Sequence, residues 1–487
     1  MPEQPPPGGI AVPPVPPGLR LRPDPGLRSL DGGRVLLGGS PYRLLRLGPA
    51  GARQVAAWWD GDPVPGSPGA RALARRLLAA GLAHPDPGGL PAPGPGDVTV
   101  VIPVRDRPAA LARCLVGCAG LRVIVVDDGS AAGAAVAAVA ASAGARYLRR
   151  PVSGGPGAAR NTGLAEARTE FVAFVDSDCV PRPGWLAPLL AHFADPAVAA
   201  AGPRIVAAAD GAGAAAGWLA SYERNRSALD MGAAPSIVRP GALVPYLPAA
   251  ALVVRRDAAG AGFAPDMPVG EDVDFVWRLA RGGWQVRYEP SASVAHAHRA
   301  RLAGWFARRM DYGTSAAPLE LRHPGRVPAV SMSGWSALAW AAAVAGRPGA
   351  GASVLAGTTA LLARRLAPVT GEAAPVALQL AGGGTVMAGR LLGRTVARAW
   401  WPVAIPAAIA LPRIRLPLTA LVLAAPLLDW REQRPPLDPA RYAAARLLDD
   451  VAYSLGVWRG CLTHRTARPL LPRLWWRSGR TEPGGPA

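Results

Sequence analysis

Residues 171–180, FVAFVDSDCV, decide how this chain is read. Five apolar residues with β-branched members among them read as a buried strand. The run ends abruptly in Asp176-Ser177-Asp178. Two carboxylates two positions apart, where a strand leaves the core, offer hard oxygen ligands suited to Mg²⁺ or Mn²⁺, which in turn clamp phosphates. An ordinary turn, with Asp178 capping whatever follows Pro181, would use the same residues. The flanking chain has to separate the two.

Upstream, the pattern alternates. Residues 98–102 (VTVVI) read as a strand ending at Pro103, and 108–119 as a helix with proline near its start. Residues 123–126 form a second buried strand that runs into Asp127-Asp128-Gly129-Ser130. A helix over 131–143, a short strand over 146–148 and a helix from the Gly-rich turn 153–157 (SGGPG) through Glu166 follow. This rhythm predicts an α/β domain with a mostly parallel sheet and helices on both faces. Ligands in such sheets bind beyond the carboxyl ends of the strands. Both acidic clusters fall at such ends, which favours the ligand reading over two unrelated turns.

The chemistry narrows by exclusion. SGGPGAARN lacks the Gly-Lys-Ser/Thr ending of a P-loop, and it is not a GxGxxG directly after the first strand, so a nicotinamide fold is disfavoured. A nucleotide near Asp127 and Asp128, with a metal-bound diphosphate at Asp176 and Asp178, fits what remains. Arg160 and Asn161 follow the Gly-rich turn, where they could face the nucleotide. A third acidic cluster, Gly270-Glu271-Asp272-Val273-Asp274, opens a helix whose apolar residues, Val273, Val276, Trp277 and Ala280, recur near helical spacing. Acids there complement the helix dipole, but a transferase also needs a base for an attacking hydroxyl. His296 and His298, two apart beyond a strand over 284–289, could each complete a metal site as neutral imidazole.

In this order, VTVVIPVRDRP, VIVVDDGS, GGPGAARNTGLAEA, FVAFVDSDCVP and GEDVDFVWRLARGGWQVRYEP resemble the family 2 inverting glycosyltransferases of the GT-A fold, a Rossmann-like mixed sheet. The likeness covers residues 97–310. It implies that Asp127 and Asp128 contact the base and ribose of a nucleotide-diphospho-sugar, with Pro103, Arg105, Gly155, Arg160, Asn161 and Asp176 on the same donor side. It implies that Asp178, with Asp176 beside it, holds Mg²⁺ or Mn²⁺, with His296 carried forward as the further candidate ligand. Asp272 would be the general base, with Glu271 and Trp277 towards the acceptor. The QxxRW-type motif of processive synthases is absent, which argues against long-chain polymer synthesis. A closer likeness, carried also by LRPDPGLRSLDGGRVLLGGSPYRLLRL and FARRMDYGTSAAPL, is to the glycosyltransferases of mycofactocin systems. That family is associated with adding β-linked glucose to a peptide-derived redox cofactor.

The rest of the chain sets the boundaries. Its 487 residues suggest two to four domains, and 50% are apolar, enough for sizeable cores. All 53 basic residues are arginine, a uniformity that looks like coding bias and weakens arguments from the net charge of +20. Such a surplus attracts nucleic acid, anionic lipid or phosphorylated substrates. Cys114, Cys118, Cys179 and Cys461 have no metal-site spacing and read as buried thiols. No secretory signal opens the sequence, so the catalytic part is expected in the cytoplasm.

Residues 1–18 are Pro/Gly-rich and expected to be disordered. Small strands over 35–37 and 42–47 and helices over 51–59 and 70–80 suggest a winged-helix-like α+β module over 19–84, followed by a linker over 85–96. The second helix offers Arg71, Arg75 and Arg76 but no Asn or Gln for reading bases, so peptide or partner recognition is preferred and nucleic acid is not an expected partner. The catalytic domain is expected over 97–326, an Ala-rich helical region over 327–430, and a polar then Arg/Trp-rich tail over 431–487.

Residues 327–346 and 348–363 carry no charge and are separated by Arg347, while 399–428 is broken by Arg413 and Arg415. Three readings fit: short transmembrane helices with arginines on cytoplasmic flanks, a hairpin lying in the membrane interface, or a soluble helical domain. The expectation carried forward is a membrane-associated sugar transferase on the cytoplasmic face of the cell membrane. Its acceptor is a hydroxyl of a peptide-derived cofactor, with a polyprenyl phosphate or surface glycan as the alternative. A peptide- or DNA-binding protein with an inactive transferase domain is the non-enzyme reading.

Overall fold

The computed structural model describes residues 12–208, 217–297 and 301–476. The chain divides into two compact units: Met1–Gly211 with Ser227–His298, and Ala212–Arg226 with Arg299–Ala487. His298, one of the two candidate imidazoles, lies outside the described residues, as does most of the segment expected to be a disordered N-terminal tail.

The first unit opens with β1 (Arg20–Pro23), β2 (Arg28–Leu30), β3 (Val35–Gly38), β4 (Arg43–Arg46), α1 (Pro49–Trp59), α2 (Pro68–Ala80) and β5 (Ala83–Asp86). The sheet β2-β3-β4 is antiparallel, and β1 pairs with β5. Both helices start on proline, whose fixed φ suits a first turn, and α2 stops at Gly81 in the left-handed region. Leu36, Trp58, Leu77 and Leu78 are fully buried in a core of their own. Pro85 and Asp86, expected in a linker, pair instead with Leu21 and Arg20.

The chain continues through β6 (Val98–Val104), α3 (Pro108–Val116), β7 (Arg122–Asp128), α4 (Gly133–Ser142), β8 (Arg146–Arg150), α5 (Gly155–Glu166), β9 (Phe171–Val175), β10 (Cys179–Pro181), α6 (Leu186–Ala191) and β11 (Val198–Ala207). After α7 (Trp218–Arg226), which belongs to the second unit, come β12 (Ser236–Ile237), β13 (Ala251–Arg255), α8 (Glu271–Arg281) and β14 (Gln285–His296). They build one nine-stranded mixed sheet in the order β10-β14-β11-β13-β9-β6-β7-β8, with β12 on β14. Strands β9, β6, β7 and β8 are parallel, and β13 runs antiparallel between β9 and β11.

Sequence explains the centre of this sheet. All five residues of β9 are buried, as strands covered on both faces require. Strand β6 runs past its expected end at Pro103. That proline lies beyond the last residue paired with β9, where the strand has a neighbour only on the β7 side. Because β6, β7 and β9 are parallel, Asp127, Asp128 and Asp176 emerge at one edge.

The second unit packs α9 (Leu302–Thr314), α10 (Ala316–Arg322), β15 (Val330–Ser333), α11 (Gly334–Val344), α12 (Pro348–Leu366), α13 (Ala373–Ala377), α14 (Gly384–Thr395), α15 (Trp401–Ala410), α16 (Arg415–Gln433), α17 (Pro439–Thr463) and β16 (Pro472–Trp475). A Cβ at Gly313 of α9 would overlap the Tyr453 carbonyl of α17, and one at Gly456 would overlap the Met310 carbonyl, so glycine permits this crossing. Around it Arg309 pairs with Glu223 (2.5 Å) and Asp449 (3.1 Å), and the Tyr222 hydroxyl donates to Asp449 (2.9 Å).

The spanning-helix reading fails here. Among the described residues no helix is long and apolar enough to cross a membrane. The uncharged tract 327–346 is divided: Val330–Ser333 pairs as a parallel strand with Pro472–Trp475, and only the 11 residues of α11 are helical. At ~1.5 Å per residue that helix covers about half of a ~30 Å hydrocarbon core.

Candidate active site

The edge formed by β6, β7 and β9 carries two acidic pairs with different surroundings. Asp127 is fully buried. Its Oδ1 accepts the Ser130 N–H (2.8 Å), and its Oδ2 accepts the Tyr147 hydroxyl (2.6 Å) and Arg149 Nη1 (3.4 Å). Asp128 accepts from Arg150 Nε (2.8 Å), the Ser153 hydroxyl (2.7 Å) and the N–H groups of Gly154 (3.0 Å) and Gly155 (2.8 Å). Burial alone would raise both carboxyls, but these donors hold them below the usual aspartate range. Gly129, which follows them, has φ +72°, and a Cβ there would stand 3.0 Å from the Ser153 nitrogen, so glycine lets the Gly-rich turn close over β7. Asp128 fastens that turn, Asp127 ties the bend at Ser130 to β8, and Arg105, exposed at the same edge, reaches the Ser153 hydroxyl (3.0 Å).

The second pair is more open. Asp176 and Asp178 side chains are 30% and 24% exposed. Their partners are arginines. Arg160 of α5, almost wholly buried, donates Nη2 to Asp176 Oδ1 (2.7 Å) and Nη1 to Glu271 Oε1 (2.8 Å), with its guanidinium 5.3 Å from the Phe263 ring centre. Burial opposes its charge, yet Asp176 and Glu271 hold it firmly protonated. Arg107 Nη1 donates to Asp178 Oδ2 (2.5 Å), and His296 Nε2 stands 3.7 Å from Asp178 Oδ1. Strand β10 places these last two together, because Cys179 lies opposite His296 on β14.

The head of α8 closes the site. Gly270, at φ +83°, turns the chain into the helix, and Glu271 is buried against Arg160. Burial, with Asp272 beside it, pushes the Glu271 carboxyl up to about 7. Asp272, half-buried, accepts the Ala249 N–H on Oδ2 (3.2 Å) and the Val273 N–H on Oδ1 (2.9 Å). Burial raises its carboxyl as well, which suits a base that must take a proton.

Several candidate residues have partners within the fold. Asn161 exchanges two amide hydrogen bonds with the Phe263 backbone, both 2.8 Å, and a Cβ on neighbouring Gly262 would overlap it. Glu271 and Trp277 are both buried. The Trp277 indole donates to the Pro245 carbonyl (2.7 Å) and so fastens the loop ahead of β13. Pro103 is a buried strand residue. Sequence reasoning passed over Arg107, Arg150, Ser153 and Phe263. Arg107 stands within the first quoted motif, but nothing in one sequence says which carboxylate an arginine will reach.

The donor set fits a divalent metal of limited kind. Among the described residues no three or more His, Cys, Asp or Glu side chains form a ready-made metal cluster. Asp178 and His296 nevertheless present an oxygen and a nitrogen 3.7 Å apart beside Asp176. One or two protein ligands supplemented by substrate phosphates is the usual way Mg²⁺ is held.

Residues 99–243 match the model of "Glycosyl transferase family 2". The chain is 41% identical over 473 residues to the pre-mycofactocin glycosyltransferases of Mycobacterium tuberculosis strains CDC 1551 / Oshkosh and ATCC 25618 / H37Rv, covering 94% of this chain and 98% of each relative. Among solved structures, the mannosyltransferase PcManGT from Pyrobaculum calidifontis, in complex with GDP-Man and Mn²⁺, aligns with a TM-score of 0.41 and 19% identity over 76% of this chain and 89% of that one. Identity at this level along nearly the whole length places the chain in glycosyl transferase family 2, in the family of the pre-mycofactocin glycosyltransferases.

Proposed function

We propose that this glycosyltransferase moves glucose from UDP-glucose to a hydroxyl of a peptide-derived redox cofactor, premycofactocin, with inversion at the anomeric carbon. The acceptor is carried over from the relatives named above, and the sugar from the family likeness of the sequence. The mechanism rests on one observation in this chain: the Asp176–Arg160–Glu271 bridge holds the head of α8, and with it Asp272, against the strand end that bears the DxD carboxylates. Asp272 takes the proton of the acceptor hydroxyl while its oxygen attacks the anomeric carbon. The bond to the donor diphosphate breaks on the opposite face, the nucleoside diphosphate leaves, and the proton stays on Asp272. Asp178, with Asp176 and His296 beside it, would hold a divalent metal, which would offset the charge on that diphosphate. Arg105 and the turn 153–155 border the nucleotide, with Asp128 fixing that turn's shape and Asp127 the bend at Ser130.

Transfer of radiolabelled glucose to the peptide-derived acceptor tests this reading. Asp272→Asn is expected to bind UDP-glucose as the parent does and to lose ~10²–10⁴-fold in transfer. Full transfer by that variant, or glucosylation of polyprenyl phosphate with the peptide-derived acceptor ignored, would replace the proposal.

We also place the enzyme on the cytoplasmic face of the membrane as a peripheral protein. Helix α15 supports this: Trp401–Ala410 is wholly uncharged, none of it is buried, and Arg413 and Arg415 follow it. An apolar helix too short to span, with arginines beside it, is suited to the interface of anionic lipid. Co-sedimentation with anionic vesicles, lost in Ile405→Asp/Ile409→Asp, is the expected result. A supernatant protein in both forms refutes the placement.

A further inference from the structure

Residues 239–250, between β12 and β13, are held at one end by the N-terminal module and at the other by the transfer site. At the first end Arg239 Nη2 donates to the Ser40 carbonyl (2.8 Å), and the Leu243 N–H donates to the Ser40 hydroxyl (2.6 Å). Ser40 sits in the turn between β3 and β4, and its own N–H donates to the carbonyl of Ala80 at the end of α2 (3.0 Å). Gly81, the next residue, lies against β12: a Cβ there would stand 3.3 Å from Ile237 Cγ2. A second tie fixes the same junction, since Arg75 of α2 meets both oxygens of Asp195 at 2.6 and 2.8 Å, both side chains being largely buried.

The segment between these ends is compact. Val238 bridges Val244, and Gly241 at φ +78° tightens the turn. The Pro245 carbonyl then takes the Trp277 indole, and Leu247 is buried. The Ala249 N–H donates to Asp272 Oδ2 (3.2 Å), and the Ala250 carbonyl accepts the Asp176 N–H (3.0 Å). The same short stretch is therefore bonded to the carboxylate assigned as base and to the backbone of the DxD strand end.

We propose that the N-terminal module is a positioning element of the transfer site: through Ser40 and Arg239 it fixes residues 239–250, and through Ala249 it fixes the direction in which Asp272 presents its carboxylate. The inference rests on Asp272 as base but goes beyond it, because it gives a module expected to recognise peptide a part in the chemical step. The Ala249 bond is near the long end of the N–H···O range, so a small shift of the loop breaks it. A displacement of about 1 Å in a reacting group can cost ~10²-fold in rate. The junction bonds, by contrast, are partly exposed and worth only ~1 kcal/mol each, so their loss leaves the fold standing.

The test uses the full chain with Ser40→Ala, Arg239→Ala and the double variant, and Ser40→Thr as the conservative control. The double variant is expected to lose about 10–100-fold in kcat with acceptor KM within ~3-fold of the parent, and Ser40→Thr to stay close to the parent. Hydrogen exchange at 245–250 is expected to rise by at least ~10-fold in the double variant, with the thermal midpoint little changed. A raised acceptor KM at unchanged kcat would make the module a recognition surface only and overturn the proposal. Unchanged exchange at 245–250 would overturn it as well, whether or not the parent uses the proposed acceptor. A parent that exchanges as expected yet transfers no glucose to the peptide-derived acceptor would count against the function proposed above and leave the coupling standing.

Discussion

The two acidic pairs at the sheet edge look alike in sequence and behave as opposites in the structure. Asp127 and Asp128 end β7 and are saturated by backbone N–H groups and hydroxyls of the turns beside them and by Tyr147, Arg149 and Arg150 of β8. Asp176 and Asp178 follow β9, remain partly open, and are met by single arginine contacts. Carboxylates bonded to backbone N–H groups cannot change partners without unfolding the local chain. Carboxylates paired with the tips of long side chains can, because such a side chain rotates away. The first pair is built as structure that shapes a donor site, and the second as a place where charge is exchanged.

Substitution separates them most sharply. Asp178→Ala is expected to lose ~10²–10³-fold in transfer, the scale of a lost electrostatic contact to the reacting group, while the unfolding free energy moves by less than ~1 kcal/mol. Asp128→Ala should reverse the pattern. It strands the Ser153 hydroxyl, Arg150 and the Gly154 and Gly155 N–H groups, and a buried donor left unsatisfied costs ~1–3 kcal/mol. Denaturant titration beside initial rates reads both quantities. A stable, inactive Asp128→Ala would make that residue a direct donor contact instead.

Much of this contrast was out of reach of the sequence. The strand-and-helix rhythm gave the elements, since burial on both faces leaves apolar runs such as Phe171–Val175 and the carboxyl-end rule put the acids at one edge. Which acids stay open depends on contacts between residues distant in the chain, such as Arg107 with Asp178 or Arg160 with Glu271. Asn161 illustrates the same limit. Its place beside Arg160 suggested a ligand contact, while its partner, the Phe263 backbone, lies a hundred residues on and is visible only once β13 and α8 are packed. In the second unit composition misled. The uncharged tract 327–346 has the length of a spanning helix, but pairing with β16 diverts its first part into a strand.

Acidity offers a milder way to set the pairs apart. Glu271, linked to Asp176 through Arg160, ionises at about 7, so the activity should fall as the pH drops through neutrality, with the raised carboxyl of Asp272 adding to the same limb. Asp127 and Asp128 are shifted the other way. Their contribution to stability is complete above the ordinary aspartate value of ~3.9 and is lost only as pH falls through their depressed values. Between about pH 5 and 7 the rate should therefore decline while circular dichroism reports an intact fold. Parallel loss of both signals would show that the first pair does not stabilise the fold as its bonding implies.

The smallest effect is expected at Arg107, and it bears most directly on exchange of charge at the second pair. Arg107 directly precedes α3, and its side chain is 47% exposed, with Nη1 2.5 Å from Asp178 Oδ2, one of the oxygens suited to a divalent metal. A cation approaching Asp178 must displace that guanidinium, and an exposed ion pair resists displacement by no more than ~1 kcal/mol. Arg107→Ala should therefore bind Mn²⁺ about 2–5-fold more tightly in the absence of nucleotide, read by the loss of the free Mn²⁺ resonance, with unfolding free energy changed by less than ~0.5 kcal/mol. With nucleotide-sugar present the gain should shrink or reverse, because the released arginine is then free to meet the added negative charge of the diphosphate. Weaker binding of Mn²⁺ alone would mean that Arg107 orients Asp178 for the metal instead of competing for it, and the second pair would then be as fixed as the first.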